Sequence, residues 1–396
     1  MYINRLIEKS LRDAVAKKKS VLLLGPRQTG KTTLLQRLSP ARLLNLANPD
    51  QRQRYEKRPA VLIDEIHDLE AESGLPAGKA GVPPLVVIDE VQKVPALMDA
   101  LQVLIDEKKA IFILTGSSAR KLRRGSHINL LPGRVLAYRL DPFRREEYAK
   151  GSLQDQLLYG ALPVVVLDPT PEAREQALRS YVTTYLEEEV RAEALVRNLS
   201  PFGRFLELAA SESGGLINLR KPSQEIGVSH VTIGSYFQIL EDCLIVERID
   251  PLTRSATRKK LTRGSKYLFF DLGVRRLAAQ EGRRLPLESW GRLLEQWVGL
   301  ELLRSMRQGP GHLRFWRDAT GPEVDWVIEQ EGRLIPIEVK WTETPTQQDA
   351  RHLQTFLAEY PEAEKGIVVC RTPHAMQLAP RIRAIPWQDL PKIKLS

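Results

Sequence analysis

Two groups of residues have the types and spacing needed for phosphate chemistry. The first is Gly25–Thr32, which reads G-P-R-Q-T-G-K-T inside the run Val21–Leu35. Gly25 and Gly30 permit the tight turns that bring backbone N–H groups against phosphate oxygens. Lys31 is placed to reach the β- and γ-phosphates of ATP, and Thr32 to offer its hydroxyl to Mg²⁺. Pro26, Arg27, Gln28 and Thr29 span the loop, and Thr33 opens the segment that follows. The second group is Asp325, Glu338 and Lys340, in a D-x(n)-E-x-K arrangement. Two carboxylates on one face of a hairpin repel unless they are protonated or bridged by a cation such as Mg²⁺. A neighbouring ammonium can orient an attacking water or stabilise developing charge.

The flanking residues specify how these groups are held. Val21–Leu24 reads as a buried parallel strand and Thr33–Leu38 as the opening of a helix, the strand–loop–helix context a phosphate-binding loop requires. An acidic strand end must supply the Mg²⁺ and water chemistry of ATP hydrolysis, and two stretches compete for it. Leu85–Ile88 is a clean apolar run after Val82-Pro83-Pro84 and ends in Asp89-Glu90. Leu62, Ile63, Ile66 and Leu69 have helical spacing, which puts Asp64 and Glu65 on the surface of a helix. Asp89 and Glu90 are therefore the pair expected to hold the Mg²⁺ shell and activate water. Ala110–Leu114 is the next strand, and a polar residue of the Thr115-Gly116-Ser117-Ser118 tip that follows is a candidate γ-phosphate sensor. Arg134, before a fifth strand at Val135–Leu140, is either a finger for transition-state charge or a structural ion pair. Five strands alternating mostly with helices predict an α/β sheet.

In the C-terminal group, a turn centred on Glu331-Gly332 would put Asp325 directly opposite Glu338, with Lys340 on the same face. Glu295 lies in an otherwise apolar helical stretch, Leu293–Val298, where a carboxylate needs a partner. Between the two groups, Phe202–Ala210, Pro222–Ser229 and His230–Asp242 form a helix-turn-helix pattern, with Leu244–Ile249 and Tyr267–Phe270 as wing strands.

The chain has 396 residues, 59 Lys and Arg against 49 Asp and Glu, and a net charge of +10. Between Arg254 and Arg284 lie Arg254, Arg258, Lys259, Lys260, Arg263, Lys266, Arg275, Arg276, Arg283 and Arg284. Such a run favours a polyanion, so DNA is the expected partner, with a protein partner as the other reading of the winged helix. No apolar run approaches a membrane span, and Met1–Ser20 lacks the apolar core of a signal peptide. Two lone cysteines, Cys243 and Cys370, fit a reducing cytoplasm.

The stretches R-Q-T-G-K-T-T, I-D-E-V-Q-K-V-P, L-T-G-S-S-A-R-K-L and G-R…L-D-P-F-R-R-E-E resemble those of the prokaryotic AAA-type P-loop ATPases that end in a PD-(D/E)XK-like domain. The resemblance spans almost the whole chain. It implies a P-loop AAA-type parallel-sheet domain at 1–145, a helical lid or connector at 146–198, a winged helix-turn-helix at 199–262 and a restriction-endonuclease-like α/β domain at 263–396. It assigns nucleotide contacts to Gly25–Thr32, Mg²⁺ and water activation to Asp89 and Glu90, sensing to Ser117 and a finger to Arg134. In the last domain it assigns metal binding to Glu295, Asp325 and Glu338, with Lys340 beside them. A finger acting in trans implies a homo-oligomer. The C-terminal site is either a Mg²⁺-dependent nuclease or a silent fold retained in a nucleotide-switched regulator.

Overall fold

The computed structural model describes residues 2–72, 83–117, 131–186, 199–218, 220–253, 261–262, 264–318 and 321–393. Arg254, Arg258, Lys259, Lys260 and Arg263 of the basic run lie outside the described residues. So do Ser118, Arg120, Lys121, Arg123 and Arg124 beyond the sensor strand. The chain divides into two compact units, Met1–Phe143 with Asp242–Leu244, and Arg144–Glu241 with Ile245–Ser396.

The first unit is built on five strands: β1 (Ser20–Leu24), β2 (Arg42–Asn45), β3 (Leu85–Asp89), β4 (Ile111–Gly116) and β5 (Val135–Arg139). They pair in parallel in the order β2-β3-β4-β1-β5. A parallel sheet is covered on both faces, which is why its central strands read as continuous apolar runs. One face packs Val21, Leu23, Val87 and Ile113 against helices α1 (Ile7–Ala16) and α2 (Lys31–Gln36), through Leu11, Leu34 and Leu35. The other packs Leu22, Val86, Ile88, Phe112 and Leu114 under the helices Val61–Glu72 and Leu97–Asp106. Asp64 and Glu65 are helical, as expected, but the two differ. Asp64 is exposed; Glu65 is buried, bonded to the Tyr55 hydroxyl at 2.7 Å and paired with Arg42 at 3.1 Å. It serves the interior of the domain and not a helix surface.

The second unit opens with helices Leu153–Tyr159, Pro163–Val166 and Pro171–Ser180. Helices Leu199–Ser211, Arg220–Ile226 and His230–Asp242 follow, and then an antiparallel pair, β6 (Val246–Ile249) with β7 (Lys266–Phe269). The turn between the last two helices passes through Gly227 at φ 77°, a conformation that favours glycine. Phe202, Phe205, Tyr236, Phe237 and Tyr267 pack as one aromatic cluster that fixes the helices against β7.

The rest is a six-stranded mixed sheet, in the order β12-β13-β11-β10-β9-β8, flanked by the helices Leu287–Ser305 and Arg351–Glu359. Its strands are β8 (His312–Arg317), β9 (Glu323–Gln330), β10 (Arg333–Val339), β11 (Gly366–Cys370), β12 (Met376–Ala379) and β13 (Ile382–Pro386).

Packing changes the reading of the basic run. Arg276 is fully buried, 2.5 Å from Glu175, and buried Arg275 is 2.5 Å from Glu281. Lys266 is also enclosed, paired with Glu295. Glu175 and Glu295 come from outside the run and Glu281 from within it, so positive charge dense along the chain becomes partly internal ion pairs.

Candidate functional site

The phosphate loop sits at the carboxyl end of β1, between β4 and β5. Gly25 N–H donates to the Gly116 carbonyl at 3.2 Å, and a Cβ there would collide with the Leu140 carbonyl oxygen. Gly30 has φ 90°, which frees the backbone to enter α2. Lys31 is buried and donates to the carbonyls of Gly25 at 2.8 Å and Pro26 at 2.9 Å. Thr29 ties the loop internally through its bond to the Pro26 carbonyl at 2.9 Å. Arg27, Gln28 and Gly30 are half-buried and Thr33 is exposed.

The acidic pair expected at the end of β3 is in place. Thr32 Oγ1 donates to Asp89 Oδ2 at 2.6 Å, joining α2 to β3 across 57 residues of sequence. The other Asp89 oxygen accepts from the Thr115 hydroxyl, and Thr115 Oγ1 accepts the Glu90 N–H at 3.1 Å. Glu90 adopts a left-handed φ of 59°, strain of the kind that collects at functional sites. Its carboxylate accepts from Gln92 Nε2 and, at 3.3 Å, from Ser117 Oγ. Ser117 thus lies beside Glu90, while Thr115 is the strand-tip residue that holds Asp89.

Sequence reasoning named Thr115 only among the polar residues of the strand tip and gave Gln92 and Arg5 no role. The sheet register singles out Thr115: Ile88 pairs with Leu114, so one further residue along both parallel strands puts Asp89 beside Thr115. No local pattern signals Arg5. Its guanidinium donates to the Thr29 carbonyl at 2.8 Å and to the Asp141 carbonyl at 2.7 Å, bracing the loop from the far end of the unit's sequence.

Arg134 is placed elsewhere. β5 runs parallel to β1 with Val135 beside Ser20 and Arg139 beside Leu24, so Arg134 sits at the end of the sheet opposite the phosphate loop. There it makes a bidentate pair with Asp106, at 2.7 and 2.9 Å, on the exposed surface. Five residues of extended strand, about 16 Å, separate that edge from Gly25. Arg134 is therefore not a finger for its own chain's loop.

In the second unit the hairpin has the expected register. Glu331 and Gly332 take φ of 51° and 80°, the two positive values of a type I′ turn. Arg333 pairs with Gln330 and Ile337 with Trp326. Beyond that pair the ladder ends, and the Asp325 carboxylate accepts the Val339 N–H at 2.8 Å. Glu338 is buried, its Oε1 accepting from Lys340 Nζ at 2.7 Å and lying 3.9 Å from His352 Nδ1. Its Oε2 is buried with no hydrogen-bond partner. Glu295 Oε1 accepts from Lys266 Nζ at 2.8 Å.

Burial, reinforced by Glu295 and Glu338, holds the Asp325 carboxyl well above the ordinary carboxylate range. Burial also raises Glu338, against the lowering pull of Lys340. For Lys266, burial disfavours the ammonium, but Glu295 and Asp325 outweigh it and carry its pKa upward. Each of the three acids thus has a protein partner. Among the described residues, no three His, Cys, Asp or Glu side chains are grouped so as to hold a metal ion. Glu295, Asp325 and Glu338 are neighbours, but not a ready-made three-ligand set, because Lys266 takes the Glu295 carboxylate.

Family models match this chain in three pieces. Residues 17–149 match the family described as AAA domain. The N-terminal unit is thus similar to AAA-type ATPase domains. Residues 150–284 and 290–390 match two families described as domains of unknown function, DUF8612 and DUF4143. Uncharacterized proteins of Mycobacterium bovis and Mycobacterium tuberculosis are each 27% identical over 387 residues, covering 96% of this chain and 82% of theirs. Among solved structures, Cdc6p from Pyrobaculum aerophilum superposes with a TM-score of 0.29 at 15% identity, covering 72% of this chain and 97% of that one. That superposition is too loose to add to the description of the fold. The mixed α/β architecture, the parallel sheet and the nucleotide-binding loop of an ATPase stand on the AAA match and on the geometry above. No helix among the described residues is long and apolar enough to cross a membrane.

Proposed function

We propose that this chain hydrolyses ATP in its N-terminal domain and uses the cycle to control a DNA-directed, Mg²⁺-dependent nuclease site in its C-terminal domain. The observation that carries the ATPase half is the convergence of Lys31, Thr32, Asp89 and Glu90 at the carboxyl ends of β1 and β3. Thr32 and Asp89 offer a hydroxyl and a carboxylate, hard oxygen donors that suit Mg²⁺. That ion would neutralise charge on the transferring phosphoryl group. Glu90, held by Gln92 and Ser117, orients the attacking water, and Lys31 exchanges its loop carbonyls for phosphate oxygens.

The nuclease half is supported by Asp325 and Glu338 on adjacent strands with Lys340 just after β10, and by the unpartnered Glu338 Oε2, an oxygen suited to a cation. The helices Arg220–Ile226 and His230–Asp242 with β6–β7 are read as a winged helix that positions DNA. The proposed domains are 1–145, 146–198, 199–262 and 263–396, and the proposed location is the cytoplasm. Arg134, turned away from its own loop, would act as a finger only on a neighbouring copy in a homo-oligomer.

A second reading is favoured by the Lys266–Glu295 pair: a nucleotide-switched DNA- or protein-binding regulator whose nuclease fold is silent. One assay separates the two. Purified protein is incubated with linear and circular DNA, Mg²⁺ or Mn²⁺, and ATP, alongside Lys31→Ala and Lys340→Ala. Metal-dependent cleavage lost in Lys340→Ala supports the nuclease. Intact DNA with every protein, together with salt-sensitive DNA retention, supports the regulator.

A further inference from the structure

Lys266 was counted with a basic run directed at a polyanion, yet it ends inside the C-terminal carboxylate cluster. It comes from β7, not from the sheet that carries Asp325 and Glu338. Its Nζ lies 2.8 Å from Glu295 Oε1, 4.8 Å from the centre of the Trp326 ring and 5.2 Å from that of Phe315. Trp326 follows Asp325 in sequence, and its Nε1–H donates to the Glu295 carbonyl at 3.0 Å, fixing that turn of the helix Leu287–Ser305 beside the strand. Lys266 therefore occupies an aromatic-walled position that a cation fills well. The same cluster contains the buried Glu338 Oε2 without a partner. Three neighbouring carboxylates share two ammonium groups, those of Lys266 and Lys340, and one buried acceptor is left over.

We propose that the Lys266 ammonium is the resident cation of this cluster, holding Glu295 away from Asp325 and Glu338 and competing with a divalent cation for the site. The inference rests on the reading of these acids as a metal site. It adds that a metal ion must displace the Lys266 ammonium to reach Glu295. Removing that ammonium would release Glu295 and leave three neighbouring carboxylates beside Lys340, a set that favours a divalent cation. A hard cation with oxygen ligands, Mg²⁺ or Mn²⁺, suits that donor set.

The test is Mn²⁺ binding by calorimetry on the full chain, without nucleotide, so that any Mn²⁺ held at Thr32 and Asp89 is common to every protein compared. Lys266→Met is expected to bind Mn²⁺ about tenfold or more tightly than wild type, since a full positive charge has left the site. Adding Glu338→Gln to it should abolish the gain. Equal affinity in Lys266→Met and wild type would reduce Lys266 to a structural ion pair and overturn the inference. If Lys266→Met does not fold, Lys266→Met/Glu295→Gln removes both buried charges together. That double variant should still bind Mn²⁺ more tightly than Glu295→Gln alone, and equality there overturns the inference as well. Absence of binding in every protein sinks the metal-site reading along with it. Tightened Mn²⁺ binding without DNA cleavage supports the inference while removing the nuclease.

Discussion

The two candidate sites satisfy their acids in opposite ways. In the N-terminal domain Asp89 is held by two hydroxyls, Thr32 and Thr115, and Lys31 rests on backbone carbonyls. These are neutral partners, easily exchanged for phosphate and a hydrated metal. In the C-terminal domain Glu338 and Glu295 are held by full positive charges, Lys340 and Lys266. Neutral partners leave a site ready for an incoming charged ligand. Ammonium partners have already neutralised it, and a ligand must displace them. One candidate site is poised for a charged ligand and the other is locked by its ammonium partners.

The comparison can be broken most sharply at Glu90. Glu90→Gln should lower the kcat of ATP hydrolysis by about 10²–10⁴-fold, the range for losing a positioned base, with ATP affinity retained. Steady-state phosphate release with a parallel nucleotide-binding titration measures both. Lys31→Ala should cost about 10²–10³-fold in the same assay by removing an electrostatic donor to the transferring group. Thr115→Val tests whether the neutral hydroxyl partner matters. It leaves Asp89 Oδ1 unsupported and should reduce kcat by about 10–100-fold, as loss of an outer-shell partner does. If Thr115→Val is silent, Asp89 is not oriented as described.

The locked site has a pH signature. Because folding raises the Asp325 pKa well above 3.8, the folded state binds that proton more tightly than the unfolded chain does. The associated stability is complete at low pH and lost as pH rises through the raised value. Thermal melts of wild type should therefore fall relative to Asp325→Asn from about pH 4 upward. Parallel curves would mean that Asp325 is not held in a charge-excluding place. The smallest effect is expected at Arg134. Arg134→Ala should leave the turnover of dilute, monomeric protein unchanged, since the side chain sits on Asp106 at the far edge of the sheet. A loss that appears only as protein concentration rises would place it in trans.

How much of this was legible in the sequence depended on the range of the interaction. The phosphate loop, the preference for Asp89-Glu90 over Asp64-Glu65 and the hairpin turn at Glu331-Gly332 rest on neighbours within a few residues. Apolar periodicity and turn chemistry report such neighbours directly. The partners of Arg134, Arg276 and Lys266 were not legible because Asp106, Glu175 and Glu295 come close only on folding.

By itself the sequence determined that a P-loop opens a parallel sheet, that an acidic strand end serves it, and that Asp325 and Glu338 share a hairpin. Those are local facts of backbone geometry and side-chain period. Only the tertiary structure decided which residue holds each acid: Thr115 on Asp89, Arg5 under the loop, Lys266 on Glu295. A hydrogen bond or ion pair forms wherever packing brings donor to acceptor, and distance along the chain carries no record of it.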